Sequence, residues 1–425
     1  MLLDMTIANF KSVRLPQTIS YEAVRDSRFK ESKIVHINDK LNIIKTAAII
    51  GANGSGKSSF VRALESLKSI VCSKGDEVEN PLQVLSGTNF AYTSTKGEPS
   101  TISIRILVDR GIEPTAENPE SRPSITADYT LVATNKMVYS ETLYFIYNSS
   151  KRLMFDRKLV GVEVEVEDET SAPKYKYIFG KLYRGEKKRL VKKIDEKHVF
   201  LSASADKNSE ICQSVVNWFK DDLNILPMGV SSISEKYIID QITAHPNWVQ
   251  QLTNFLWSLD ITDIKKIQIL KGRLVFSHAN VLQSYATYYS LESLSLRRLC
   301  LIGIAFFESF ITHRTIIIDD FGMLLHPDIL KHIIEIFEAC NDKTGSQLLA
   351  IDCNPSLLRP GLMRRDGIYF AEKNEKNETV YFSLAQFRYS RSRDLTSEQY
   401  MNGAFGSLPL LSNFYFVDSN EKEDK

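Results

Sequence analysis

The spacing of apolar residues changes several times along the 425-residue chain. Leu2 to Asn9 alternates in part, and Lys45 to Ile50 is a short apolar run ending at glycine; both predict strands, with a polar, charged segment from Tyr21 to Lys40 between them. From Ser58 to Val71 the positions Phe60, Val61, Leu64, Leu67 and Ile70 fall at helical spacing. From about Thr101 to Val199, short runs rich in Val, Ile, Tyr and Thr are broken by Gly, Pro, Asn and charge clusters, which predicts a meander of antiparallel strands. Residues 207–258 turn helical, with CQSVVNWF and NWVQQLTNFLWSL the clearest stretches, and KIQILKGRLVFS returns to strand near 266–277. From Glu292 a long helix leads into the apolar strand TIIIDD. A helix, a strand (Gln347 to Ile351), a helix and a strand (Gly367 to Ala371) follow, and the tail beyond Phe416 is charged and expected to be disordered.

No repeat of 20 to 50 residues and no Gly/Ser linker divides the chain. The pattern predicts an α/β sheet, mostly parallel where the strands Lys45–Ile50 and TIIIDD lie side by side, with an antiparallel β layer from the middle region. Residues 1–200 form a first half, 201–262 a small helical insertion, 263–416 a second half and 417–425 the tail.

Composition narrows the class. With 43% hydrophobic and 25% charged residues the chain reads as a soluble globular protein. Its 53 basic and 52 acidic residues leave a net charge of +1, so no global field draws it to nucleic acid or an anionic membrane, and any such binding is local. Cys72, Cys212, Cys300, Cys340 and Cys353 are odd in number, widely spaced and without metal-ligand patterning, which fits a reduced cytosol. The N-terminus lacks the features of a signal peptide. The most lipid-like stretch, Leu299 to Ile311, is 13 residues long and contains Glu308. It falls short of the roughly 20 residues a bilayer requires and predicts a buried helix. The expected location is therefore cytoplasmic, with no membrane association.

The chemistry is concentrated in two places. Gly51-Ala-Asn53-Gly54-Ser55-Gly56-Lys57-Ser58-Ser59 satisfies GxxxxGK[ST], follows an apolar strand and opens a helix. By chance such a string arises in roughly one or two per cent of chains this long. The glycines let backbone N–H groups point inward around a β-phosphate, the helix N-terminus adds partial positive charge, Lys57 reaches the β/γ oxygens and Ser58 can ligate Mg²⁺. The predicted ligand is ATP or GTP. About 260 residues later TIIID319-D320 is an apolar strand ending in two carboxylates, Asp319 placed to hold the Mg²⁺ shell and Asp320 to position a water.

The order of parts resembles a known family. Asn9-Phe10-Lys11-Ser12, GANGSGKSS, a strand-rich insertion, Ser293-Leu-Ser295-Leu-Arg297-Arg298-Leu299, IIIDDFGMLLHP and the late strand IYFAEK are similar to the ABC-type ATPases related to the SMC and RecF repair proteins. Within these the chain resembles the single-chain bacterial ATPases of abortive infection and phage resistance, the RloA-like group and, more loosely, the AriA subunit of the PARIS system. That resemblance implies a split ATPase head with a lid-like insertion. It also implies a homodimer or higher homo-oligomer, with ATP and Mg²⁺ between the P-loop of one subunit and the signature segment, here Ser293 to Leu299, of another. Lys11 matches an early position near nucleotide.

Three departures accompany the resemblance: Ser295 replaces the signature glycine, Asp320 the catalytic glutamate and Cys353 the switch histidine. A shorter carboxylate reaches a water less well, and a thiol cannot replace a histidine's hydrogen bond, so slow hydrolysis is expected. His326 is expected to order the loop after the Asp-Asp strand. No nuclease or hydrolase centre is visible, so the implied function is a defence ATPase that senses, or scaffolds, and controls a separately encoded effector. The alternatives are a RecF-like DNA-binding repair ATPase and a nucleotide-locked scaffold without turnover. The basic run Arg184 to Lys193 is the local candidate for nucleic acid.

Overall fold

The computed structural model describes residues 1–24, 32–38, 40–73, 78–92, 97–109, 124–147, 150–164, 171–207, 209–226, 232–280, 282–341, 345–387, 396–409 and 411–412. The charged tail beyond Phe416 lies outside them.

The chain begins with β1 (Leu2–Ala8), β2 (Gln17–Ser20), β3 (Ile34–Asn38), β4 (Leu41–Ile44), β5 (Thr46–Ile50) and α1 (Lys57–Cys72). The antiparallel run follows: β6 (Ser100–Asp109), β7 (Ile125–Ala133), β8 (Val138–Tyr147), β9 (Ser150–Val164) and β10 (Ser171–Phe179). Then come α2 (Lys188–Lys193), α3 (Phe200–Ala205), α4 (Glu210–Asn217), β11 (Leu223–Leu226), α5 (Ser232–Ala244) and α6 (Trp248–Ser258). The last part holds β12 (Ile264–Leu270), β13 (Arg273–Ala279), β14 (Ser284–Tyr288), α7 (Leu294–Thr312), β15 (Thr315–Ile318), α8 (Pro327–Cys340), β16 (Gln347–Asp352), β17 (Ile368–Lys373), β18 (Thr379–Ser383) and α9 (Thr396–Met401).

Two sheets carry the architecture. One has seven strands in the order β10-β9-β8-β7-β6-β1-β2, all antiparallel, and β6 to β10 are strands of the meander that the Val-, Ile-, Tyr- and Thr-rich runs predicted. The other has six strands in the order β11-β15-β16-β5-β17-β18, parallel except for β18. Strands from the first 50 residues and from the last hundred interleave in this second sheet, so it is assembled from both ends of the chain. Along β5 the side chains alternate between two cores. Ala47 and Ile49 join the cluster between the sheets, with α1. Ala48 and Ile50 join the cluster under α6, α7 and α8. A strand buried on both faces reads as a continuous apolar run, which is why Lys45–Ile50 and TIII are uninterrupted.

Four local readings of the sequence are corrected. Within the segment read as helical, Leu223–Leu226 is a strand that pairs in parallel with β15 at the edge of the six-stranded sheet. The single strand near 266–277 is a hairpin with a third strand, turning at Lys271 and Gly272, both at positive φ. The polar segment Tyr21–Lys40 contains β3, which pairs with β4. After β16 the expected helix is two short 3₁₀ turns, Pro355–Leu358 and Arg365–Gly367. Pro360 and Gly361, the latter at φ 79°, stop any longer helix there. Most of Leu299–Ile311 is buried inside α7 as predicted, Ile311 at its end being exposed, and among the described residues no helix is long and apolar enough to cross a membrane.

Candidate nucleotide site

Register brings the chemistry to one edge. Asp352 pairs with Ile50, and Ile318 with Ala350, so β5, β15 and β16 end together and deliver the P-loop, Asp319, Asp320, Asp352 and Cys353 to the same end of the sheet. The loop from Gly51 to Gly56 is tightly supported. Gly56 precedes α1 at φ 98°, and a Cβ there would collide with the hydroxyls of Thr379 and Ser12. At Gly51 it would collide with the Ala371 carbonyl. Both positions therefore require glycine.

The buttresses come from distant parts of the chain. The Thr379 hydroxyl donates to the Ser55 carbonyl at 2.8 Å and lies 2.7 Å from Ser12 Oγ, itself 3.0 Å from Ser59 Oγ. The Tyr381 hydroxyl donates to the Gly56 carbonyl at 2.8 Å, and the Ala52 N–H donates to the Ser407 carbonyl at 3.2 Å. Asn53 and Gly54 stay exposed at the tip, Gly54 at φ 78°.

Lys57 is buried, and its Nζ donates to the carbonyls of Gly51 and Ala52, both at 2.8 Å. Burial lowers its pKa, against an opposing pull from Cys353 and the three aspartates. Asp319 is 2% exposed. Its Oδ1 accepts the Asp320 N–H at 3.2 Å, and buried Oδ2 has no hydrogen-bond partner among the described residues. Burial and the neighbouring Asp320 charge raise the pKa of Asp319, and the Ser58 side chain beside the carboxylate only partly offsets them. Asp320 follows at φ 50°, a left-handed conformation unusual for a side chain other than glycine, asparagine or aspartate.

Two groups not singled out from the sequence complete the cluster. Asp352 is buried and accepts the N–H groups of Cys353 (2.7 Å), Asn354 (3.1 Å) and Gly322, so it ties the loop after β15 to the end of β16. Arg298, fully buried on α7, donates to the carbonyls of Asp319 at 2.9 Å and Asp320 at 3.2 Å. Burial lowers its pKa while Asp320, Asp319 and Asp352 support the charge. The helix that opens at Leu294, behind Ser293, is thus fastened to the backbone of the Asp-Asp strand.

The remaining predicted residues, apart from Cys353 at the mouth, make no hydrogen bond to this cluster among the described residues. Ser293 caps α7, accepting the Leu296 N–H at 3.2 Å, and Ser295 Oγ donates to the Leu324 carbonyl at 2.9 Å; Ser293 is exposed and Ser295 half-buried. Lys11 is exposed, at φ 54°, with its N–H bonded to the Thr88 carbonyl, while its neighbour Ser12 is the residue that touches the P-loop. Cys353 is exposed at the mouth; burial and the adjacent Asp352 raise its thiol pKa. His326 caps α8, accepting the Asp328 N–H at 3.2 Å.

The donors suit a hard divalent ion: a carboxylate oxygen buried without a partner, a serine hydroxyl beside it and further carboxylates close by. The carbonyl-bound ammonium of Lys57 at the start of α1 suits an incoming anion.

Residues 47–351 match the family described as "AAA domain, putative AbiEii toxin, Type IV TA system". No curated protein matches the sequence. Among solved structures the chain is similar to an SMC head bound to the C-terminal winged-helix domain of ScpA, at 11% identity, TM-score 0.45, covering 90% of this chain and 97% of that one. It is also similar to the SMC head domain from Thermotoga maritima, at 13% identity, TM-score 0.37, covering 90% and 98%. A third is the SMC head of Pyrococcus furiosus with an extended coiled coil, bound to the C-terminal domain of ScpA, at 10% identity, TM-score 0.44, covering 94% and 98%.

Proposed function

Because the chain belongs to that AAA-domain family, we propose that it is a Mg²⁺-dependent ATPase of bacterial anti-phage defence, a sensor or scaffold that controls a separately encoded toxin or nuclease. The observation that carries the nucleotide part is the Oδ2 of Asp319, without a partner among the described residues, beside Ser58, together with a lysine bonded to the backbone carbonyls of Gly51 and Ala52. Ser58 and Asp319 would hold Mg²⁺; the N–H groups from Gly54 to Ser59, and Lys57, would hold the β/γ-phosphates. When bound, Mg²⁺ supplies charge neutralisation at the phosphate oxygens. Lys57 exchanges two neutral carbonyls for anionic oxygens, and Asp320 orients the attacking water and accepts its proton. Asp320 is one methylene shorter than glutamate and Cys353 cannot supply a histidine's bond, so turnover is slow.

Ser293 and Ser295 make no bond to the P-loop of their own chain, and the leucines around them, Leu291, Leu294 and Leu324, are 74%, 47% and 48% exposed. This supports a second copy docking there and completing the site. The defence role rests on the family's description and on the motif resemblance. The same departures at Asp320 and Cys353 favour, as a second reading, a scaffold locked by bound nucleotide.

Steady-state ATP hydrolysis, run beside mass determination with and without ATP, tests the proposal. Turnover should vanish in Lys57→Ala, stop with binding intact in Asp320→Ala, and rise in Asp320→Glu. Turnover retained in Lys57→Ala contradicts the nucleotide assignment; tight binding and assembly without turnover selects the scaffold. Phage plating on cells carrying the chain and its neighbouring genes should lose protection with Lys57→Ala.

A further inference from the structure

The outer end of the antiparallel sheet carries a feature that the nucleotide site does not use. β10 is the edge strand of its sheet, and Tyr175, Tyr177 and Phe179 alternate along one of its faces. Their ring centroids are 6.4 Å and 6.2 Å apart, and the rings of Tyr177 and Phe179 are within 8° of parallel. Their inner sides are seated on buried groups. The Arg157 guanidinium lies 4.1 Å from the Tyr175 ring centroid, and Phe200 lies 5.6 Å and 5.7 Å from Tyr177 and Phe179. The three rings remain half-buried, and with α2 they border an open groove of about 740 Å³.

The far wall of that groove is cationic. Lys187, Lys188, Arg189 and Lys192 line it, and Lys187 Nζ stands 5.4 Å from the Phe179 ring. Between residues 181 and 193 there are seven basic side chains and one acidic, Glu186, in a chain whose net charge is +1. α2 buries only Leu190, so packing does not account for its lysines and arginine. A cover needed only to shield three aromatic rings from water would be apolar.

We infer that this groove binds a single strand of nucleic acid, with two or three bases stacked on Tyr175, Tyr177 and Phe179 and the phosphates against Lys188, Arg189 and Lys192. Aromatic platforms on a sheet, flanked by a cationic wall, recognise unpaired bases because every base offers a π-face, whereas a duplex keeps its faces stacked inside. DNA and RNA share this chemistry. The inference goes beyond the proposed ATPase and depends on none of its residues.

The test is fluorescence anisotropy of the full chain with labelled oligo(dT), oligo(U) and a duplex, each about 12 units long, at about 50 and 200 mM salt. Single strands should bind better than the duplex, and the tighter of the two homopolymers identifies the sugar. Tyr177→Leu should weaken binding about tenfold. The double change Lys188→Glu with Lys192→Glu should weaken it further and flatten the salt dependence by about 0.7 in log–log slope for each phosphate no longer neutralised. The charge variant leaves the ring packing intact, so it decides the matter if Tyr177→Leu unfolds; an unchanged ATP affinity reports that the head is folded. The inference is overturned by no single-strand binding at the lower salt, by binding that the charge variant leaves unchanged, by equal affinity for duplex, or by an acidic peptide competing as well as the oligonucleotide.

Discussion

Two buried ionic clusters, one in each sheet, are built on opposite terms. In the antiparallel sheet Glu141 and Arg157 are both fully buried, 3.8 Å apart. Glu141 accepts the N–H groups of Phe200 (2.6 Å) and Leu201 (2.7 Å) and the Tyr129 hydroxyl (3.1 Å). Arg157 donates to the carbonyls of His198 (2.7 Å) and Asp195 (2.6 Å), and its Nε lacks a partner among the described residues. This cluster closes on itself and fastens the start of α3 to the sheet. At the end of the parallel sheet Asp319, Asp320 and Asp352 crowd together, Lys57 is turned onto carbonyls, and a carboxylate oxygen is buried with no partner among the described residues. Burying charge is tolerable when partners are supplied. The first cluster has them within the fold, and the second is arranged to receive them from a ligand.

Disturbing the two clusters therefore has different and even opposite consequences. The largest effect is expected from Glu141→Ala, which leaves Arg157 buried without its carboxylate and should cost about 3 to 5 kcal/mol in denaturant or thermal unfolding. A loss too small to measure would mean that the cluster is not closed. Arg298→Met comes next. It strands the carbonyls of Asp319 and Asp320, should cost about 1 to 3 kcal/mol, and should lower ATP turnover by loosening the strand end that holds both aspartates. Normal turnover in that variant would separate α7 from the chemistry.

The smallest effect carries the opposite sign. Asp319→Asn should leave the nucleotide-free protein as stable as before or more so, by about 1 kcal/mol, because it removes a poorly compensated buried charge. Burial and Asp320 hold the Asp319 carboxyl above its usual range, so the folded state retains a proton that the unfolded chain has released. Its contribution to stability therefore falls as pH rises from the ordinary carboxylate range through the raised pKa of the folded state. In Asp319→Asn that part of the pH profile should flatten. A variant less stable than the parent at neutral pH would place Asp319 among the closed, structural ion pairs.

Much of this was legible in the sequence, for identifiable reasons. The P-loop and the Asp-Asp strand announce themselves because both are short motifs bounded by uninterrupted apolar strands, and a strand buried on two faces leaves that mark. The antiparallel layer was legible through short runs rich in Val, Ile, Tyr and Thr, broken by Gly, Pro, Asn and charge clusters. β11 was not, since four residues, Leu223–Leu226, are too few to establish a period against the helices on either side. Asp352 is overshadowed in the sequence by Cys353 beside it, although a third carboxylate at the end of an apolar strand was a usable signal. Arg298 carried a signal too, a charge among apolar neighbours on a buried helix, hidden in a motif read for its serines. Ser12 stands in the Asn9-Phe10-Lys11-Ser12 motif, which points to Lys11 as the residue near nucleotide; Thr379, Tyr381 and Ser407 meet the P-loop only through tertiary packing between segments far apart in the chain, and no local pattern encodes that.

The most direct measurement is the melting temperature of the full chain with ATP, in Mg²⁺ and in EDTA, for the parent and for Lys57→Ala. ATP with Mg²⁺ should stabilise the parent, by about 2.7 kcal/mol at a hundredfold excess over Kd, EDTA should remove most of that gain, and Lys57→Ala should show none. A parent indifferent to ATP, or a Lys57→Ala variant stabilised as much as the parent, would contradict a phosphate-binding role for this loop.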